Sequence, residues 1–251
     1  MKLPPFQNQF RDAAGEAWPK ASIDGHASRD YNSVNCGAAV AATAAAFADG
    51  ASLAASPNSI RQFAKAHQVE GLTGIQVTAA LRLMGHRAHV LVVPPERFGK
   101  ILGNRPDLFV CLLVDDDTFP GCDPGFLGDH WVGIACGRNR LSPADMTMVP
   151  AYDPTCPRRA DQDGLPPGAN WERLDKTTRA AQKWSQAHGY GNRITMVTVK
   201  RLEPAPEPIP DPDKKLIAEL RAELAAAQDD IDERNTVLAR IAAESAPYRE
   251  S

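Results

Sequence analysis

No stretch of the chain approaches the roughly 18–20 consecutive apolar residues that a bilayer-spanning helix needs. Residues 1–10 carry prolines and glutamines where a signal peptide would place its apolar core. The sequence therefore predicts no membrane span and no signal peptide, and a chain that is cytoplasmic on synthesis. A surplus of either charge is also missing. With 28 basic and 31 acidic side chains, the net charge of −3 over 251 residues gives no general attraction for nucleic acid. Cysteine is scarce and irregularly placed. The five, Cys36, Cys111, Cys122, Cys136 and Cys156, include no Cys-x-x-Cys pair, which argues against a structural zinc site and a disulfide framework. Their odd number requires at least one free thiol. Nothing in the pattern calls for a metal or a cofactor. Lysine is sparse, whereas Ala, Arg, Asp and Pro are plentiful, a usage common in GC-rich genomes.

What is present divides the chain into three. Residues 1–201 read as one globular domain. Residues 202–213, LEPAPEPIPDPD, hold five prolines among acidic and small residues. Proline fixes φ and donates no backbone hydrogen bond, so this is an extended linker. In residues 214–246, Ile217, Leu220, Leu224, Ala227, Ile231, Leu238 and Ile241 recur at three- and four-residue intervals, with Arg234 interrupting the seam. Asp211 or Asp213 would cap this helix, which at 1.5 Å per residue runs for roughly 45 Å. It pairs as a dimeric or trimeric coiled coil, docks on a partner's helices, or packs back on its own domain.

Within the globular domain, helices are predicted at 36–49, ended by Gly50, at 57–67 with Ser56 as cap and Pro57 in the first turn, and at 74–84, closed by Gly85. Strands follow at 88–93, 108–114, 130–136, 146–152 and 194–200, and a polar excursion at 157–191 contains a helix at 177–187. Helices first and strands after predict an α+β fold, a helical half beside a mostly antiparallel sheet.

Three segments carry residues suited to nucleophilic catalysis. Asn35-Cys36-Gly37 sets a cysteine at a helix N-terminus, where the dipole and unpaired N–H groups favour the thiolate. His130 opens the apolar strand HWVGI. Asp153, in Tyr152-Asp153-Pro154, ends the next strand. A cysteine, a histidine and a carboxylate are the parts of a nucleophile, its base and the residue that orients the base. The aspartates 115–117, 123 and 129 form an acidic loop that lacks the regular alternation of an EF-hand. It reads as a solvated turn that lines the cleft and favours cationic groups.

On these segments the chain resembles papain-like cysteine peptidases, in particular the bacteriocin-processing, double-glycine-leader branch. Members carry a Cys-Gly pair opening a buried helix, a histidine followed by apolar strand residues, and an Asp-Pro after the next strand. The likeness covers residues 26–156, with strand 194–200 completing the sheet. It implies a papain-like fold with Cys36 as nucleophile, His130 as general base and Asp153 as orienting acid. The family places a glutamine six residues before the cysteine as an oxyanion donor, and Asp30 stands there in this chain. An ionised aspartate only accepts hydrogen bonds, so the oxyanion candidates are Asp30 when protonated and the amides of Asn32 and Asn35, beside the Cys36 N–H.

The resemblance implies a cysteine peptidase hydrolysing amide bonds of a peptide or of peptidoglycan. Similar domains occur in lysins of actinobacterial phages, and with the heptad helix this suggests a virion-associated, tail-tip enzyme bound to copies of itself or to other virion proteins through 214–246. The alternatives are a catalytically silent papain-like structural or adhesive virion protein and a papain-fold glutamine deamidase, which the stretch SRDYNSVNCG also resembles.

Overall fold

A computed structural model describes residues 3–52, 54–115, 129–156, 164–166 and 168–201. The chain divides after Leu202 into two units, and the second, Glu203–Ser251, lies outside the described residues, as do the linker and heptad helix expected there. Most of the acidic loop and Cys122 lie outside them as well.

The described part is mixed α+β, with five α-helices and a seven-stranded antiparallel sheet among these residues. A short 3₁₀ turn, Asn32–Val34, leads into helix α1, Cys36–Asp49. Helix α1 is alanine-rich and buried along nearly its whole length, which lets the surrounding backbone approach closely. Gly50 ends it in the left-handed conformation, φ 65°, with its N–H returned to the last turn. Helix α2, Pro57–Phe63, starts at the Ser56 cap. Helix α3, Gly74–Leu83, starts at a capping box between Thr73 and Gln76.

Strand β1 is Arg87–Val93 and is followed by helix α4, Pro95–Asn104. Strands β2, Leu108–Asp115, β3, Asp129–Ala135, β4, Arg140–Leu141, β5, Thr147–Tyr152, and β6, Asn170–Arg173, come next. Helix α5, Leu174–Ala187, and strand β7, Ile194–Lys200, complete the described chain. The strand order is β1-β7-β2-β3-β5-β4, with β6 also on β5.

The sheet has a core on each face. Phe109, Cys111 and Leu113 of β2 face α1 and its neighbouring helices, whereas Val110, Leu112 and Val114 face Phe98 and Leu102 of α4 and Ala180 and Ala181 of α5. Coverage on both sides explains why β2 is a continuous apolar run rather than an alternating one.

Three expectations need correction. The helix from 57 stops at Phe63, and Lys65 takes a positive φ of 51°, because the following backbone turns its carbonyls onto Arg61. Helix α4 was not expected, and both α4 and α5 are interleaved with strands, so helices do not simply precede the sheet. Finally, Cys156 is disulfide-bonded, while Cys36, Cys111 and Cys136 are free. Cysteine spacing carries no trace of a bridge set by tertiary proximity.

Candidate active site

Gly37 locates Cys36. A Cβ added there would lie 2.9 Å from Trp131 Cδ1 and 3.3 Å from Leu72 Cβ, so this residue must be glycine for α1 to seat against β3. Trp131 is fixed in turn, its indole N–H donating to the Leu72 carbonyl at 2.9 Å. The contact between Gly37 and Trp131 carries their predecessors, Cys36 and His130, to the same place. Cys36 is buried at the first position of α1, where backbone N–H groups have no helical acceptor.

His130 and Asp153 come from neighbouring strands. Gly133 of β3 pairs with Tyr152 of β5, and Asp153 follows directly after. His130 Nε2 lies 2.9 Å from Asp153 Oδ1, with both residues buried. The same oxygen accepts from the Thr155 N–H at 2.9 Å and the Thr155 hydroxyl at 2.7 Å, which fixes the carboxylate. Burial opposes charge on both groups, but hydrogen bonding and mutual attraction outweigh it. His130 is raised above the ordinary histidine value by Asp153 and by the neighbouring Cys36 thiol, and Asp153 is held below the usual carboxylate range by His130 and Thr155. The Nε2 side of the ring is turned to Asp153.

The structure thus brings Cys36, His130 and Asp153 together. Each of the three oxyanion candidates makes a hydrogen bond within the protein. Exposed Asp30 accepts the Asn32 N–H at 2.9 Å, and the Asn32 amide donates to the Trp18 carbonyl at 3.3 Å. The Asn35 amide donates to Asn58 Oδ1 at 3.2 Å while its oxygen accepts from Arg61 Nε.

Arg61 and Gln9 were not legible as site residues. Arg61 is fully buried and binds the Val34 and Glu70 carbonyls at 2.8 Å and those of Ala66 and Gln68 at 3.3 Å, besides Asn35. It thereby holds the turn that delivers Cys36. Burial lowers its pKa to about 10, with Tyr31 and Cys36 opposing the shift, so the guanidinium stays charged at neutral pH beside the thiol. Gln9, also fully buried, joins the turn before Cys36 to the segment after Asp153: its N–H donates to the Pro154 carbonyl at 3.0 Å and its side-chain amide to the Asn32 carbonyl at 3.2 Å. An arginine in a short helix and a glutamine near the start both read as surface residues in sequence.

A cavity of about 600 Å³ opens at Cys36, bounded by the 71–75 loop, Trp131 and the end of α5. Asp129 and Asp115, at the two ends of the acidic loop, are matched with His188 Nε2 at 3.1 Å and Lys183 Nζ at 2.9 Å. Among the described residues no three His, Cys, Asp or Glu side chains gather as metal ligands, and no helix is long and apolar enough to cross a membrane. No protein-family model matches the chain, and no curated protein matches it.

Proposed function

We propose that the chain is a cysteine hydrolase of papain-like fold that cleaves amide bonds through Cys36, His130 and Asp153. The observation that carries this reading is the buried His130–Asp153 pair set against a helix-N-terminal thiol that lines a cavity. His130 takes the thiol proton, and the Cys36 sulfur attacks the amide carbon. The oxyanion is stabilised by the backbone N–H of Cys36. Collapse breaks the C–N bond, with the imidazolium proton passing to the amine. Water, deprotonated by His130, then attacks the thioester and releases the acid and the thiol. Asp153 holds Nε2–H and keeps Nδ1 for the transfer.

Peptidoglycan cross-bridges or stem peptides suit an enzyme acting outside a reducing cytosol, a setting favoured by the disulfide at Cys156. A place in a virion tail, with residues 214–246 joining copies of the chain or other virion proteins, belongs to the same reading. The decisive experiment incubates wild type and Cys36→Ala with peptidoglycan and with mixed peptides and weighs the products. Fragments gaining one water, absent with Cys36→Ala, support hydrolysis. Conversion of glutamine to glutamate without fragmentation establishes deamidation instead.

A silent structural or adhesive protein is the second reading, favoured by Asp30, a carboxylate that accepts the Asn32 N–H where the resemblance places an oxyanion-donating glutamine. Thiol chemistry separates the two. Iodoacetamide alkylation of Cys36 at neutral pH no faster than that of a free thiol, and unchanged by His130→Ala, establishes the silent protein.

A further inference from the structure

Residues 6–19 form an arm that is fastened to both sides of the site. On the sheet side, buried Phe6 lies against Gly168, where any side chain would strike its ring. The Asn8 amide donates to the Cys156 carbonyl at 2.9 Å and the Gln9 N–H to the Pro154 carbonyl at 3.0 Å, both in the segment that follows Asp153. On the helical side, Gln9 Nε2 donates to the carbonyl of Asn32, the residue that opens the 3₁₀ turn leading to Cys36. The Asn32 amide holds the arm in return through the Trp18 carbonyl at 3.3 Å, and the Asn58 amide does so through the Pro19 carbonyl at 2.8 Å. Gln9 therefore bonds to both sides at once, by its backbone to the Asp153 segment and by its side chain to the Cys36 turn. Its Oε1 is buried and has no hydrogen-bond partner among the described residues. Leaving that acceptor unsatisfied costs about as much as the neutral Nε2 bond returns, so an apolar side chain of equal length would hold the fold about as well. What the amide adds is the place at which it holds Asn32.

We infer that Gln9 is a positioning residue: through its bond to Asn32 it fixes the separation between Cys36 and the His130–Asp153 pair, and thereby the reactivity of the thiol. The inference rests on the reading of Cys36 as the nucleophile and His130 as its base. Gln9 touches neither of them and acts through the turn that it anchors.

The test follows iodoacetamide alkylation of Cys36 in the full chain, by mass spectrometry of the Cys36 peptide, with the urea midpoint measured alongside. Gln9→Met has the same reach without the donor. It should slow alkylation at pH 7 by about 10–100-fold, the upper end being what a misplacement of about 1 Å commands, and leave the urea midpoint near that of wild type. The pH profile of its alkylation should also move toward that of His130→Ala, which a merely structural loss would not cause. A folded Gln9→Met with the wild-type rate and profile overturns the inference, whether or not its midpoint has dropped. Should Gln9→Met not fold, Gln9→Glu decides, because its carboxyl donates to Asn32 only when protonated: its rate relative to wild type should be higher at pH 5 than at pH 9, and a constant ratio overturns the inference. If wild-type Cys36 reacts no faster than a free thiol, the nucleophile reading has failed, and NMR titration of the His130 imidazole decides instead. Cys36 helps to raise that group, so its midpoint should fall in Gln9→Met if the separation has widened, and an unmoved midpoint overturns the positioning role.

Discussion

The two sides of the cleft are held in place by different physics. On the helical side, the turn that delivers Cys36 is fastened by Arg61, a buried cation whose acceptors are four carbonyls and an amide oxygen, all neutral. On the sheet side, His130 is fastened by Asp153, a partner that titrates with it. The position of Cys36 is thus insulated from pH, and the His130–Asp153 pair is not. The ionisation of His130 can therefore change without moving the Cys36 thiol.

Substitutions on either side test this division. The largest expected effect is on the sheet side: Asp153→Asn should cut amide hydrolysis by about 10⁴-fold, because the amide cannot hold the histidine tautomer or balance the imidazolium, with iodoacetamide labelling of Cys36 slowed in parallel. Arg61→Met should instead act on folding, lowering stability by about 3–5 kcal/mol in urea denaturation, since five buried or part-buried acceptors lose their donor at once. A stable Arg61→Met with normal labelling would show that the turn before α1 holds itself. Gly37→Ala should cost about 1–3 kcal/mol and shift Trp131 fluorescence, because the new methyl must displace the indole that bonds to Leu72.

The smallest effect is the pH dependence of stability. The folded value of His130 is raised, so its contribution is complete below the ordinary histidine pKa of about 6.5 and drains as pH climbs through the folded value. Asp153 is depressed, so its contribution is present above about 3.9 and lost as pH falls through its folded value. Unfolding between pH 5 and 9 should therefore show an alkaline decline in wild type that His130→Gln removes and Arg61→Met retains. Its retention in His130→Gln would assign the decline to another group.

What the sequence displays and what it hides follow the same line. Cys36 to Asp49 announces itself by alanine content and Gly50, and the strands by their β-branched and aromatic runs between Gly, Pro and Asp. These are local signals, and the elements form where they point. Helix α4 also carries one, Pro95 at its start with Phe98, Ile101 and Leu102 on one face, which the short intervals between strands obscured. Strands β4 and β6 have no comparable signal: two and four residues long and without a buried residue, they exist because β5 offers them an edge. The roles of Arg61 and Gln9 depend on carbonyls brought from distant loops, which no local pattern encodes. Cys36, His130 and Asp153 were legible because each sits at the end of an element, where a sequence marks its boundaries most clearly.

Helix α1 is enclosed by protein on nearly every side, and native-state hydrogen exchange should find its amides among the last to open. Cys36, at the start of this segment, is held in place with it. Across the cavity, residues 71–75 and the end of α5 are more exposed than α1, and the thiol is the fixed point against which any motion of theirs would be measured.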